Sequence, residues 1–323
     1  MAGTGSGVAM HRKSLVPRPD RLAVGLAALL LVLANATPAA AARRPHSGGG
    51  SAPTGNDVSY PQCASTLPAS PAFGIVGVNG GLANDLNACL GPSGSYPSYS
   101  QSELYWSASS SVGGTAQPPT SLYVNTADPG NEFGGSAITD WPTSSSSSDP
   151  YGTCATTTIS TTGGSQTVGA DSDACAWQYG YDKAAQDGRW LTAAAQAIDA
   201  QSPPVQVASS PATYPWWLDV ESANTWQSGT AGDSMNVADL QGMIAALGAD
   251  GVTIVGVYST AAQWDQVTGG TTAASGSLYG IPDWIPGARS LSQAESNCAL
   301  ASFTGGTVAL TQWSGRLDYD WSC

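Results

Sequence analysis

From residue 55 onward, short apolar runs alternate with longer stretches of helical character. "NDVSY", "FGIVGVNGG" and "SLYVNTADPG" read as three successive buried strands, each bounded by turn residues. "CAWQYGYDKAAQDGRWLTAAAQAIDA" reads as the longest helix, and "PWWLDVES" as the strand after it. "NVADLQGMIAALGADG" predicts a further helix, capped by Asn236 and stopped by a glycine. The strand "VTIVGVYS", the run "IPDWIPG", a short helix around "LSQAESNCALA" and the strand "GTVALTQWS" complete the order. The polar segment "SSSSSDPYGTCATTTISTTGGSQT" breaks this rhythm and is expected to be a long loop.

Strand and helix in alternation call for a parallel sheet with crossover helices. The length suits one α/β domain over residues 55–323, a TIM-type (β/α) barrel, for which about 250 residues is usual. A doubly wound open sheet competes, but "NGGLAND" after the second strand is no phosphate-binding fingerprint.

The first 42 residues stand outside this pattern. A basic start, "HRKSLVPRPDR", precedes the apolar run "LAVGLAALLLVLANA" and the small residues "TPAAAA". That is the layout of a secretory signal peptide with cleavage near Ala40–Ala42, and the run is short for a span of roughly 20 residues. Residues 43–54 then read as a flexible linker. Cleavage would remove four of the 10 basic residues and one of the 23 acidic ones, so a formal charge of −13 becomes more negative still. Such a surface repels nucleic acid and anionic lipid. The expected setting is secreted, extracellular or wall-associated, with no stable membrane insertion after cleavage.

Six cysteines and no CxxC argue against zinc or thiol redox chemistry and for disulfides. Neighbour pairing, Cys63–Cys89, Cys154–Cys175 and Cys298–Cys323, is the favoured connectivity. Eleven tryptophans offer flat surfaces for sugar rings as well as filling for a core.

The candidate chemistry lies in "WWLDVES". Residues two apart on a strand share a face, so Asp219 and Glu221 stand about 6.6 Å apart at its carboxyl end. Barrel enzymes build their sites at that end. Close carboxyl groups push their pKa values apart, as acid-assisted glycoside hydrolysis requires.

The order "GNDVSYPQ", "WWLDVES", "VGVYST", "PDWIPG" and "LTQWSGRLDYDWSC" resembles glycoside hydrolase family 25, the lysozyme-like N-acetylmuramidases. The resemblance implies a modified barrel with fewer than eight helices. It implies Glu221 as general acid, and Asp219 as the carboxylate that orients the substrate acetamido group or stabilises the transition state. Asp57 becomes the acid of the first strand and Asp318 the late acid, with Asp320 a rival. Tyr258, Trp284 and Gln312 match groove positions. Asn79, where the chain turns after the second strand, is counted as a further substrate contact. No metal and no cofactor is expected.

Two functions follow. One is a hydrolase of β-1,4 bonds in peptidoglycan or a related N-acetylated glycan. The other is a non-catalytic glycan-binding or wall-associated protein on the same barrel, its acids retained as relics.

Overall fold

The computed structural model describes residues 53–80, 83–146, 148–270 and 277–323, and Ser51–Cys323 form one compact unit. The signal-peptide segment and most of the linker expected over residues 43–54 lie outside the described residues. Strands β1 (Gly55–Val58), β2 (Gly74–Gly77) and β3 (Thr120–Asn125) open the fold, with helix α1 (Glu103–Ser110) between the last two. Two small hairpins follow, β4 (Glu132–Phe133) with β5 (Ser136–Ala137), and β6 (Thr156–Thr161) with β7 (Gly164–Gly169). Then come α2 (Asp173–Asp199), β8 (Trp216–Asp219), α3 (Gly229–Ala249), β9 (Val255–Tyr258) and α4 (Ala261–Thr268). The chain ends with β10 (Asp283–Ala288), α5 (Leu291–Asn297), β11 (Val308–Ser314) and β12 (Asp318–Ser322).

Eight strands close into a barrel in the order β1-β12-β11-β10-β9-β8-β3-β2, so the expected modified α/β barrel is present. Seven of its strands are parallel to their parallel-sheet neighbours, whereas β12 runs antiparallel to both β11 and β1. A parallel return needs a crossover of a dozen or more residues. The chain has only the tight turn from Ser314 to Asp318, closed by Gly315 N–H to Leu317 C=O at 2.9 Å, so β12 must double back. This places Asp318 opposite Asp57, and Asp320 opposite both Gly55 and Gln312.

Side chains alternate in and out along the strands, as a barrel requires. On β8, Trp216 and Leu218 pack outward beneath the helices, with Leu122, Val257 and Leu240. Trp217 turns inward and meets Ile75, Trp284 and Leu310. That inner cluster plugs the barrel below Asp219, which points the same way as Trp217 and ends the strand. Seven of the eleven tryptophans are buried, so most of them fill the core.

Helices α2 and α3 make the closest helix pair. A Cβ at Gly180 would overlap the backbone of Asp239, and one at Gly242 the backbone of Trp177. Small residues at both crossings let the two backbones touch.

Three local expectations are corrected. Helix α3 begins at Gly229 with Ser228 as its N-cap, so Asn236 is no cap. Asn236 is fully buried and bonds Gln227 N–H (3.2 Å), Gln227 C=O (3.0 Å) and Val267 C=O (2.8 Å), pinning the turn before α3 to the end of α4. The Ser- and Thr-rich segment is not a structureless loop, since it contains the β6–β7 hairpin in regular antiparallel register. The sheet is also not wholly parallel, for the reason given for β12.

All three disulfides join sequence neighbours as expected: Cys63–Cys89, Cys154–Cys175 and Cys298–Cys323. The last ties the end of β12 to the residue after α5, and a loop of this size stabilises by about 3 kcal/mol. Among the described residues no helix is long and apolar enough to cross a membrane.

Candidate active site

A cavity of about 240 Å³ opens where the parallel strands end. Its walls include Asp57 from β1, Tyr123 and Asn125 from β3, Asp219 and Glu221 from the end of β8, Tyr258 from β9, Trp284 from β10, Gln312 from β11 and Asp318 from β12. Four acids distant in sequence thus share one mouth. Seven of the eight residues singled out from the sequence line it.

Asn79 is the exception. It is fully buried and does not line the cavity. Its Oδ1 accepts from Asn125 N–H at 2.8 Å and from Asn125 Nδ2 at 3.1 Å, while its Nδ2 donates to Asn125 C=O at 2.9 Å. Asn79 therefore holds a wall residue in place from behind the cavity lining. Trp284 is also mostly shielded, at 2% exposure. It forms the floor with Tyr258, whose ring lies 4.6 Å away edge to face.

The segment carrying the acid pair is held at several points. Thr126 Oγ1 donates to Asp219 C=O at 2.6 Å, and Val220 N–H to Tyr258 C=O at 2.9 Å. Trp226 Nε1 donates to Glu221 C=O at 2.8 Å. The strand proper ends at Asp219, so Glu221 stands on the pinned loop beyond it and is only half-buried, while Asp219 is buried. The difference sets their chemistry. Burial, then the nearby charges of Glu221 and Asp57, hold the Asp219 carboxyl protonated well above the usual carboxylate range. Its Oδ1 has no partner among the described residues.

On the other side of the cavity, Gln312 Nε2 donates to Asp57 Oδ2 at 2.8 Å and Gln312 Oε1 accepts from Tyr258 OH at 2.9 Å. Burial and the Asp318 charge push Asp57 up to about 7 in spite of the Gln312 bond. Asp320 sits deeper, completely buried, and its Oδ1 accepts from Trp284 Nε1 at 2.9 Å. Its carboxyl is within hydrogen-bonding reach of Asp57, and burial followed by the Asp57 charge raises it well above the ordinary range. Asp320 therefore stays protonated beside Asp57. Of the two rivals on β12, Asp318 lines the cavity and Asp320 supports Asp57 from beneath.

Sequence reasoning passed over Tyr123, Asn125 and Ser59 as wall residues, although the strand "SLYVN" puts Tyr123 and Asn125 on one face by its period of two. Cys63, Cys89 and Glu103 bring ligand atoms within 4.8 Å of one another, but both sulfurs are bonded to each other and offer no thiolate to a metal.

The site thus holds an acid pair at the end of a barrel strand, above an aromatic floor. The family model described as "Lysozyme-like protein 1" matches residues 195–280, the segment from the end of α2 past α4 that carries Asp219, Glu221 and Tyr258. "Probable GH family 25 lysozyme 2" from Dictyostelium discoideum is 42% identical over 59 residues, 18% of this chain. The matched segment spans about a quarter of that relative's length, 26%. Among solved structures, a muramidase from Trichobolus zukalii overlaps 84% of this chain and 94% of its own, at 12% identity and a TM-score of 0.41. The resemblance to glycoside hydrolase family 25 read from the sequence thus recurs in the family model and the curated relative.

Proposed function

We propose that the protein is a secreted glycosidase that cleaves β-1,4 bonds in peptidoglycan or a related N-acetylated glycan. The observation that carries this reading is the unequal acid pair: a buried, protonated Asp219 with a free oxygen, beside a half-exposed Glu221 in the same cavity. A proton donor beside a second carboxyl group is what acid-assisted glycoside cleavage needs.

In the open site the proton rests on Asp219. When an N-acetylated sugar seats, its acetamido N–H meets the Asp219 carboxyl where that group lines the cavity, which favours its ionised form. The proton is then left to Glu221, which stands farther out and delivers it to the glycosidic oxygen. As the bond breaks, positive charge grows at the anomeric carbon. The acetamido oxygen, oriented by Asp219, attacks that carbon as the leaving sugar departs with the proton, and the negative field of Asp57 and Asp318 stabilises the developing charge. A water then gives a proton back to Glu221 and attacks the same carbon, breaking its bond to the acetamido oxygen and leaving a new reducing end. The network Tyr258–Gln312–Asp57 keeps Asp57 in one position for that task. Export is supported by the segment 1–42 and by three disulfides.

The test is release of new reducing ends from peptidoglycan and from chitin by the wild type and by Glu221→Gln. Release by the wild type, lost in the variant, is expected. No release from any N-acetylated glycan by the wild type, with sugar binding intact, would leave a glycan-binding protein instead.

A further inference from the structure

Beyond the acid cavity lies a second one of about 390 Å³, with Asn125 in the wall of both. Its volume falls within the roughly 300–1,000 Å³ of small-ligand sites. The loops that build it follow β2, β3 and β8, so it opens at the same end of the barrel as the acid pair. Ala223, Asn224 and Thr225, two to four residues beyond Glu221, line it, and Asn125 stands between the two cavities. Its far side is Phe133 on the β4–β5 hairpin, an aromatic ring left 62% exposed.

That hairpin is braced. Asn131 N–H donates to Asp171 Oδ1 at 2.7 Å, Asn131 Nδ2 to Gly169 C=O at 3.0 Å, and Thr162 N–H to Gly135 C=O at 3.0 Å. The β6–β7 hairpin thus carries the β4–β5 hairpin, and an exposed phenyl ring is held as a fixed platform. The polar groups of the cavity are neutral amides and hydroxyls, Asn84, Asn125, Thr126, Asn224 and Thr225 among them, with one acid, Asp85, and no cation. An acidic peptide would find only repulsion there. A neutral sugar ring would find amide partners for its hydroxyl and acetamido groups, and an aromatic face for its C–H side.

We infer that this cavity is a remote subsite for a further N-acetylhexosamine unit of the glycan, built by the hairpin insertion and gripped by Phe133. The inference rests on the glycan-cleaving reading of the acid cavity. Binding energy from a remote sugar then serves positioning at the reacting bond, so long chains are cleaved better than short ones.

The test uses N-acetylglucosamine trimer and hexamer as probes. Phe133→Ala removes a ring that stands in water, so the fold is kept. It should lower kcat/KM on the hexamer about tenfold, leave the trimer unchanged, and be rescued by Phe133→Trp. Equal loss on both lengths, or no loss on the hexamer, would overturn the subsite. The same oligomers are titrated against the Glu221→Gln protein, where turnover plays no part. Tighter binding of the hexamer that depends on Phe133 supports the subsite even if the wild type cleaves nothing, in which case only the hydrolase reading fails. Binding without dependence on chain length would remove the subsite and leave the hydrolase reading intact.

Discussion

Two sets of buried acids sit in this molecule under similar constraints and in different surroundings. At the barrel mouth, Asp57, Asp219 and Asp320 are buried around a cavity that also admits Glu221 and Asp318. Elsewhere Asp187 on α2, Asp239 on α3 and Asp128 on the loop after β3 are buried, and one lysine of α2, Lys183, pairs with Asp140 and lies 5.1 Å above the Tyr179 ring. Burial raises the carboxyl pKa in both places: Asp128 to about 7, and Asp187 and Asp239 well above the ordinary range. The oxygens of Asp187 and Asp239 are without partners, like Oδ1 of Asp219. Perturbed titration and orphaned oxygens therefore do not identify the site by themselves. What sets the mouth acids apart is the cavity that they line. Asp239 is buried where Gly180 brings the two helix backbones together.

The largest effect expected is at the mouth. Glu221→Gln keeps shape and hydrogen bonding but cannot give up a proton, so kcat should fall on the order of 100- to 10,000-fold with substrate affinity nearly unchanged. Steady-state kinetics on a defined oligosaccharide measures it, and a loss confined to KM would break the comparison.

The next effect belongs to the helix set. Lys183→Met removes the cation shared by Asp140, Asp187 and Asp239. Denaturation should show about 1 kcal/mol of lost stability, because Asp140 stands exposed and water screens its pair with Lys183. The kcat should be unaffected.

Both sets contribute to the third. Folding raises Asp57 and Asp128 from 3.8 to about 7, and Glu103 from 4.5 to about 8, so between these values the native state holds more protons than the unfolded one. Their stabilisation is complete below about pH 4 and is lost as pH rises through 7 to 8, at up to about 1.4 kcal/mol per pH unit for each group. The Tm should be higher at pH 5 than at pH 8. Asp57→Asn and Asp128→Asn should each flatten that slope by a similar amount, and a Tm rising with pH would contradict the assignment.

The smallest effect is Asp320→Asn. An amide can accept from Trp284 and puts no charge beside Asp57, as the protonated acid does, so activity should stay within a few-fold of wild type. Asp320→Leu, which leaves both partners unpaired, should cost more in a parallel assay and shift the pH profile set by Asp57.

Much of the frame was legible because the strands are apolar runs of the right length, and the parallel barrel strands need no other signal. The acid pair was legible from its spacing and its place at a strand end. β12 was not, because "LDYDWS" alternates polar and aromatic residues and its direction is set by the short turn before it. That direction is also what separates Asp318 at the rim from Asp320 below. Asn79 looked like a contact because it ends a strand, yet its amide is consumed by Asn125. Asp187 and Asp239 gave no sign at all, since an Asp in an Ala-rich helix reads as solvated until the crossing partner is known. The hairpin platform was hidden for a related reason: "TTTIST" and "GSQTVG" keep mostly polar, exposed side chains, so no hydrophobic pattern marks them.

The claim that the mouth acids carry chemistry and the helix acids carry only the fold is met most directly by one crossed measurement. Asp219→Asn and Asp239→Asn each replace a buried, protonated acid with a neutral amide of the same shape. Cleavage rate and Tm are recorded for both. The account predicts that Asp219→Asn loses cleavage at an unchanged or higher Tm, while Asp239→Asn cleaves at the wild-type rate. Wild-type cleavage by Asp219→Asn, or loss of cleavage by a folded Asp239→Asn, would contradict it.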